Sequence, residues 1–166
     1  MQDVQKEIDQ FAKVDERIYR GAQPTPKGIA LLKELGIKTI INFRHEPDAV
    51  EEEAQWVAEA GGIQYINIPW RIQVHPDKNV MREFLEVVAR WADRGPLFFH
   101  CRRGAERTGV ADAVYRRYIM GSSEEEAWDK ATDDYHILFY WRPFMKKRLQ
   151  DFYRDLGDPV DTGKTA

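Results

Sequence analysis

The stretch that most constrains this chain runs from Pro96 to Tyr115. An apolar run, Pro96-Leu97-Phe98-Phe99, gives way to His100-Cys101-Arg102-Arg103-Gly104-Ala105-Glu106-Arg107-Thr108-Gly109 and then to Val110-Ala111-Asp112-Ala113-Val114-Tyr115. The apolar run reads as a short buried strand and the last segment as the start of a helix. A strand that feeds a loop opening a helix builds an anion site. The backbone N–H groups of the turn and of the first helical residues point inward, and the helix dipole adds partial positive charge. Such a cradle stabilises the thiolate of a cysteine placed in it. Arg107 can curl back and offer a planar fork of donors to two oxygens of a bound anion. Nucleophile, oxyanion receptor and clamp thus fall within one short loop.

The His-Cys, five residues, Arg-Thr arrangement resembles the signature of the cysteine-dependent protein tyrosine phosphatase superfamily, and the short chain points to its dual-specificity branch. A second stretch agrees. Arg17-Ile18-Tyr19-Arg20-Gly21-Ala22-Gln23-Pro24, followed by Gly36-Ile37-Lys38-Thr39-Ile40-Ile41-Asn42-Phe43-Arg44, is similar to the amino-terminal half of small bacterial members. The two stretches stand in the family's order, so the resemblance covers residues 15 to 155. A bare Cys-x5-Arg is a weak signal, but strand, His-Cys, Gly104, Arg-Thr and helix together are specific. A lone cysteine is otherwise commonly a small buried hydrophobe. Rhodanese-type sulfurtransferases also place a cysteine in an anion loop, with a different loop length and no Arg-Thr ending. Low-molecular-weight phosphatases share the spacing but carry the loop near the chain start. Both fit less well.

The 166 residues suffice for a single phosphatase domain over 1–166, with residues 1–14 as a short polar helix or amino-terminal arm and 157–166 as a loose tail. One cysteine rules out an internal disulfide framework. His45, His75, His100 and His136 lack metal-ligand spacing, so neither metal nor other cofactor is expected. The net charge of −3 argues against a nucleic-acid or membrane-surface partner. No apolar run approaches the ~20 residues of a membrane span. The expected partner is a phosphorylated substrate, either a phosphoprotein or an inositol phosphate, met by a monomer in the cytoplasm. A removed export leader stays open, since similar bacterial proteins include exported ones.

Strands alternating with helices predict an α/β fold, a mostly parallel central sheet flanked by helices on both faces. Strands are expected over 16–20, 37–43, 63–68 and 96–99. Helices are expected from Thr25-Pro26 to Gly36, over 49–60, from Asp77 or Asn79 to Arg94, from Val110 to Gly121, after Ser123, and from Pro143. Residues 69–76 form the one long loop before the helix at 77.

The resemblance implies chemistry residue by residue. Cys101 attacks phosphorus, and the loop N–H groups of residues 102 to 107, including those of Gly104, Ala105 and Glu106, receive the oxygens with the Arg107 guanidinium. Thr108 would hydrogen-bond the sulfur as it leaves, or merely start the helix. His100 would orient the loop from behind. The family's general acid is an aspartate ahead of the cysteine. Asp77 is the only carboxylate between Tyr65 and Arg82, but Pro76-Asp77 is also a helix-cap signal, and both roles stay open. Glu106, Asp133 and Asp134 are alternatives, and good leaving groups need no acid. Arg102 and Arg103 are either a solvated face or a basic pocket rim, and Arg44, Arg71 and Lys78 would add to such a rim. The resemblance favours a phosphotyrosine or dual-specificity protein phosphatase, and a basic rim keeps an inositol polyphosphate phosphatase as the alternative. A phosphate-binding module without turnover is the remaining alternative.

Overall fold

The computed structural model describes residues 1–71, 78–133 and 142–157. Within them, β1 (Ala12–Lys13), β2 (Ile18–Ala22), β3 (Thr39–Asn42), β4 (Gln64–Asn67) and β5 (Leu97–Cys101) form a sheet in the order β1-β2-β5-β3-β4. Only β1 runs antiparallel to its neighbour; β2, β3, β4 and β5 are mutually parallel. The fold is the α/β arrangement the alternating pattern predicts.

Burial explains why β5 takes the centre. All five of its residues are buried, Leu97 and Phe99 facing one apolar cluster and Phe98 the other. Each buried phenylalanine contributes about 1.5–3 kcal/mol by leaving water. One face carries α1 (Gln2–Glu7), α2 (Pro26–Glu34) and α3 (Pro47–Ala60). The other carries α4 (Lys78–Trp91), α5 (Glu106–Tyr118), α6 (Glu124–Thr132) and α7 (Arg142–Leu156).

Local chemistry sets the element ends. Thr25 caps α2 by accepting from the Gly28 N–H at 3.1 Å, with Pro26 opening the helix. Ser123 caps α6 by accepting from the Glu126 N–H, although the Glu126 side chain pairs with Lys130 instead of closing a capping box. The strand expected at 16–20 begins later. Asp15 Oδ1 accepts from the N–H groups of both Arg17 and Ile18, which holds those residues in a turn and starts the ladder at Ile18. Helix α5 begins earlier than expected, at Glu106, so the loop after Cys101 is only four residues long.

The amino-terminal segment holds a short helix, α1, but is less polar than expected. Val4, Ile8 and Phe11 are buried against β2 and α2, and β1 extends the sheet. The charged residues between them disguise an apolar stripe with helical spacing. The loop expected at 69–76 lies outside the described residues from position 72 onward, as do Asp77, Asp134 and the tail beyond 157.

Candidate active site

Side chains alternate along β5, and this alternation divides the site. Cys101, 2% exposed, closes the strand on the face of α4, α5 and α7, while His100 faces α3. The chain then turns through Arg102, Arg103, Gly104 and Ala105 into the N-terminus of α5. Gly104 has a φ of +70°, and a Cβ there would lie 2.5 Å from the Ala22 nitrogen and from the Gly21 carbonyl carbon. The turn requires glycine on both counts.

Arg107 stands in the first turn of α5, 7% exposed. Its Nη1 donates to the carbonyls of Trp70 at 3.0 Å and Phe43 at 3.3 Å. These bonds anchor one corner of the guanidinium and leave Nε without a hydrogen-bond partner among the described residues. Thr108 Oγ1 is buried and likewise unpartnered among them. Both groups sit in the helical turn that Cys101 leads into.

Behind the strand, His100 is fully buried. Its Nδ1 lies 3.2 Å from the Cys101 carbonyl oxygen, which can only accept, so Nδ1 carries a proton. Its Nε2 lies 2.8 Å from Glu53 Oε1, at ion-pair distance though off the line of a hydrogen bond. Glu53 Oε2 accepts from Asn42 Nδ2 at 2.7 Å and from the Tyr65 hydroxyl at 3.4 Å. Burial, then the Glu53 charge, pushes the Tyr65 hydroxyl well above its ordinary range, so it stays a donor. The ring of His100 stacks on Phe98 at 5.5 Å.

The remaining expected residues divide. Arg102 and Arg103 are exposed and line an open cleft of about 520 Å³ with Asp9, Gln10 and Ala22. Gln10 has a φ of +56°, a conformation uncommon outside glycine. Glu106 is buried at the loop's exit and 3.9 Å from Arg103 Nη1. Arg44 is committed to neighbours, with Nε 3.2 Å from Glu46 Oε2 and Nη1 2.5 Å from Gln23 Oε1. Asp133 caps the end of α6 and pairs with Arg142 at 3.3 Å. Asp77 lies outside the described residues. Sequence reasoning missed Glu53, although its position between Val50 and Val57 put a carboxylate on the buried face of α3. Asp9 and Gln10, which line the cleft beside Arg102 and Arg103, also went unremarked because the arm was left without a role.

A buried cysteine at the end of a central parallel strand, a short glycine-pinned turn and an arginine in the first turn of the following helix are the site architecture of the cysteine-dependent tyrosine and dual-specificity phosphatase superfamily. The family described as "DSP-PTPase phosphatase fused to NAD+ Kinase" matches residues 2–138, and the chain belongs to it. The dual specificity protein phosphatase TpbA of Pseudomonas aeruginosa is 29% identical over 119 residues, which are 71% of this chain and 48% of that protein. Inositol diphosphatase DSP4 of Arabidopsis thaliana is 32% identical over 119 residues, covering 64% of this chain and 54% of that protein. The chain thus spans about half the length of the curated relatives it matches. The crystal structure of P. aeruginosa TpbA superposes with a TM-score of 0.66 at 21% identity, over 87% of this chain and 83% of that one, a likeness of fold.

Proposed function

We propose that the protein is a cysteine phosphatase that hydrolyses phosphate monoesters through a cysteinyl-phosphate intermediate, of the tyrosine and dual-specificity type. One observation carries this reading. Arg107 Nε and Thr108 Oγ1 are buried polar atoms with no partner among the described residues, in the helical turn that follows the cysteine. Buried polar groups are seldom left unpaired unless a ligand or water completes them. An oxyanion would complete Arg107, and the cysteine sulfur would complete Thr108.

The Cys101 thiolate attacks phosphorus, forming the S–P bond as the P–O bond to the leaving group breaks. The leaving oxygen takes a proton from a general acid or departs as the anion. Water then attacks the cysteinyl phosphate, releasing inorganic phosphate and the thiolate, which Thr108 steadies. Charge on the equatorial oxygens is met by the loop N–H groups and by Arg107, which needs no metal. Asp77 is the proposed acid, with Glu106 and Asp133 as alternatives; the engagement of Asp133 with Arg142 favours it least.

A second reading, inositol polyphosphate or inositol diphosphate as substrate, is favoured by the exposed Arg102 and Arg103 beside an open cleft. The name of the Arabidopsis relative is in keeping with it. Phosphate release measured over phosphotyrosine peptides, aryl phosphates and soluble inositol phosphates tests both. Cys101→Ser should abolish turnover on every substrate while retaining inorganic phosphate binding. Residual turnover in that variant would overturn the covalent mechanism.

A further inference from the structure

The segment Arg20-Gly21-Ala22-Gln23 stands out in the sequence, yet none of it takes part in the chemistry above. Arg20 is fully buried on β2. Its Nη2 donates to the Gly104 carbonyl at 2.9 Å, and its Nη1 donates to Asp112 Oδ2 at 2.7 Å and to the Ala131 carbonyl at 2.9 Å. One guanidinium therefore ties the loop after Cys101 to α5 and α6. Asp112 Oδ1 also accepts from Arg116 Nε at 2.8 Å, so two guanidinium groups share one carboxylate below the loop. The next residues of the segment complete the seat. The Gly21 and Ala22 backbones leave no room for a side chain at Gly104, and the Gln23 N–H donates to the Arg102 carbonyl at 3.3 Å.

In a trans peptide the C=O of one residue and the N–H of the next point in opposite directions. Holding the Gly104 carbonyl outward against Arg20 turns the Ala105 N–H toward the loop interior. Holding the Arg102 carbonyl against Gln23 does the same for the Arg103 N–H. These donors are then aimed before any anion arrives, and preorganised donors stabilise developing charge most.

We infer that Arg20 is a positioning residue of the anion loop: through the Gly104 carbonyl it fixes the inward orientation of the Ala105 N–H. The inference rests on the phosphatase reading, and the test separates the two. Cys101 is the only cysteine of the chain, so alkylation reports on this loop alone. In the wild type, anionic iodoacetate should modify Cys101 faster than neutral iodoacetamide, and inorganic phosphate should protect it. Loss of both behaviours in the wild type would overturn the phosphatase reading itself. Given them, Arg20→Lys keeps a charge but not the fork, and should lower the iodoacetate-to-iodoacetamide rate ratio about tenfold. Its kcat on an aryl phosphate should fall more than its KM rises. An Arg20 that only supports the fold would lower the melting temperature and leave the ratio at the wild-type value, which overturns the inference. A second measurement needs no variant to fold. In the wild type the Ala105 amide resonance should shift on titration with inorganic phosphate, and an unmoved Ala105 amide also overturns it.

Discussion

His100 and Cys101 are neighbours in the chain but work on opposite faces of the sheet, where polar groups are treated in opposite ways. Behind the strand, the His100 ring, Glu53, Asn42 and Tyr65 turn their polar atoms toward one another, and even the pair that makes no hydrogen bond, His100 Nε2 and Glu53 Oε1, meets at ion-pair distance. In front of it, Arg107 and Thr108 keep buried polar atoms without partners among the described residues. Unmet polar groups destabilise a folded chain, so a front left incomplete is the mark of a place where a ligand supplies the missing half. The back stabilises the fold and the front binds. That difference can be broken or sharpened by substitution.

The largest effect is expected at the front. Arg107→Lys replaces a planar fork with a point charge and should lower kcat/KM about 100-fold or more on every phosphate ester. Steady-state kinetics on two unlike substrates checks it, and a near-wild-type rate would place the clamp elsewhere. Next comes the rim. The Arg102→Ala/Arg103→Ala double variant should lose more than tenfold on inositol hexakisphosphate, since a hydrogen bond from a guanidinium to phosphate is worth about 1.5–3 kcal/mol. A small aryl phosphate should be hydrolysed nearly as before. Raised salt should reproduce the divergence by screening the rim. Equal losses on both substrates would favour the phosphoprotein reading.

At the back the order of effects reverses. Glu53→Gln deprives His100 of its charged partner in a fully buried site and should cost about 1–3 kcal/mol of stability. Thermal melting should show a drop of several degrees, while kcat/KM falls less than tenfold. A large catalytic loss without a melting shift would mean that the two faces are not separate.

The smallest effect lies at the edge of the site. Burial opposes ionisation of Glu46, but the Arg44 hydrogen bond and the N–H groups of Glu46 and His45 outweigh it and hold the carboxyl at about 2. Its contribution to stability is therefore present above the ordinary value of 4.5 and is lost as pH falls toward 2. With the Glu46 side chain 39% exposed, solvent screening limits that contribution to about 1 kcal/mol or less. The stability difference between wild type and Glu46→Gln should be constant above about pH 5 and shrink toward zero near about pH 2.

Much of this was legible in the chain because the signals are local. Thr25-Pro26, Ser123 and the strand-loop-helix around Cys101 each declare themselves within a few residues. What escaped was long-range or disguised. Arg20 meets Asp112 across more than half of the chain, and Glu53 reaches His100 on β5 from helix α3. No periodicity reports such pairings. The stripe of Val4, Ile8 and Phe11 was hidden by Asp3, Gln5 and Lys6, which a helix simply turns to solvent.

The order of strands has a consequence for how the protein comes into being. Strands β2 and β3 are near neighbours in the chain but do not pair; each waits for β5, which arrives far later and slides between them. Until then both present open edges, and closing such distant pairings is the slow part of folding. The strand that completes the sheet also carries Cys101 at its end. Closure of the sheet and assembly of the candidate site therefore coincide, and the return of the proposed phosphatase activity during refolding would time the insertion of the central strand.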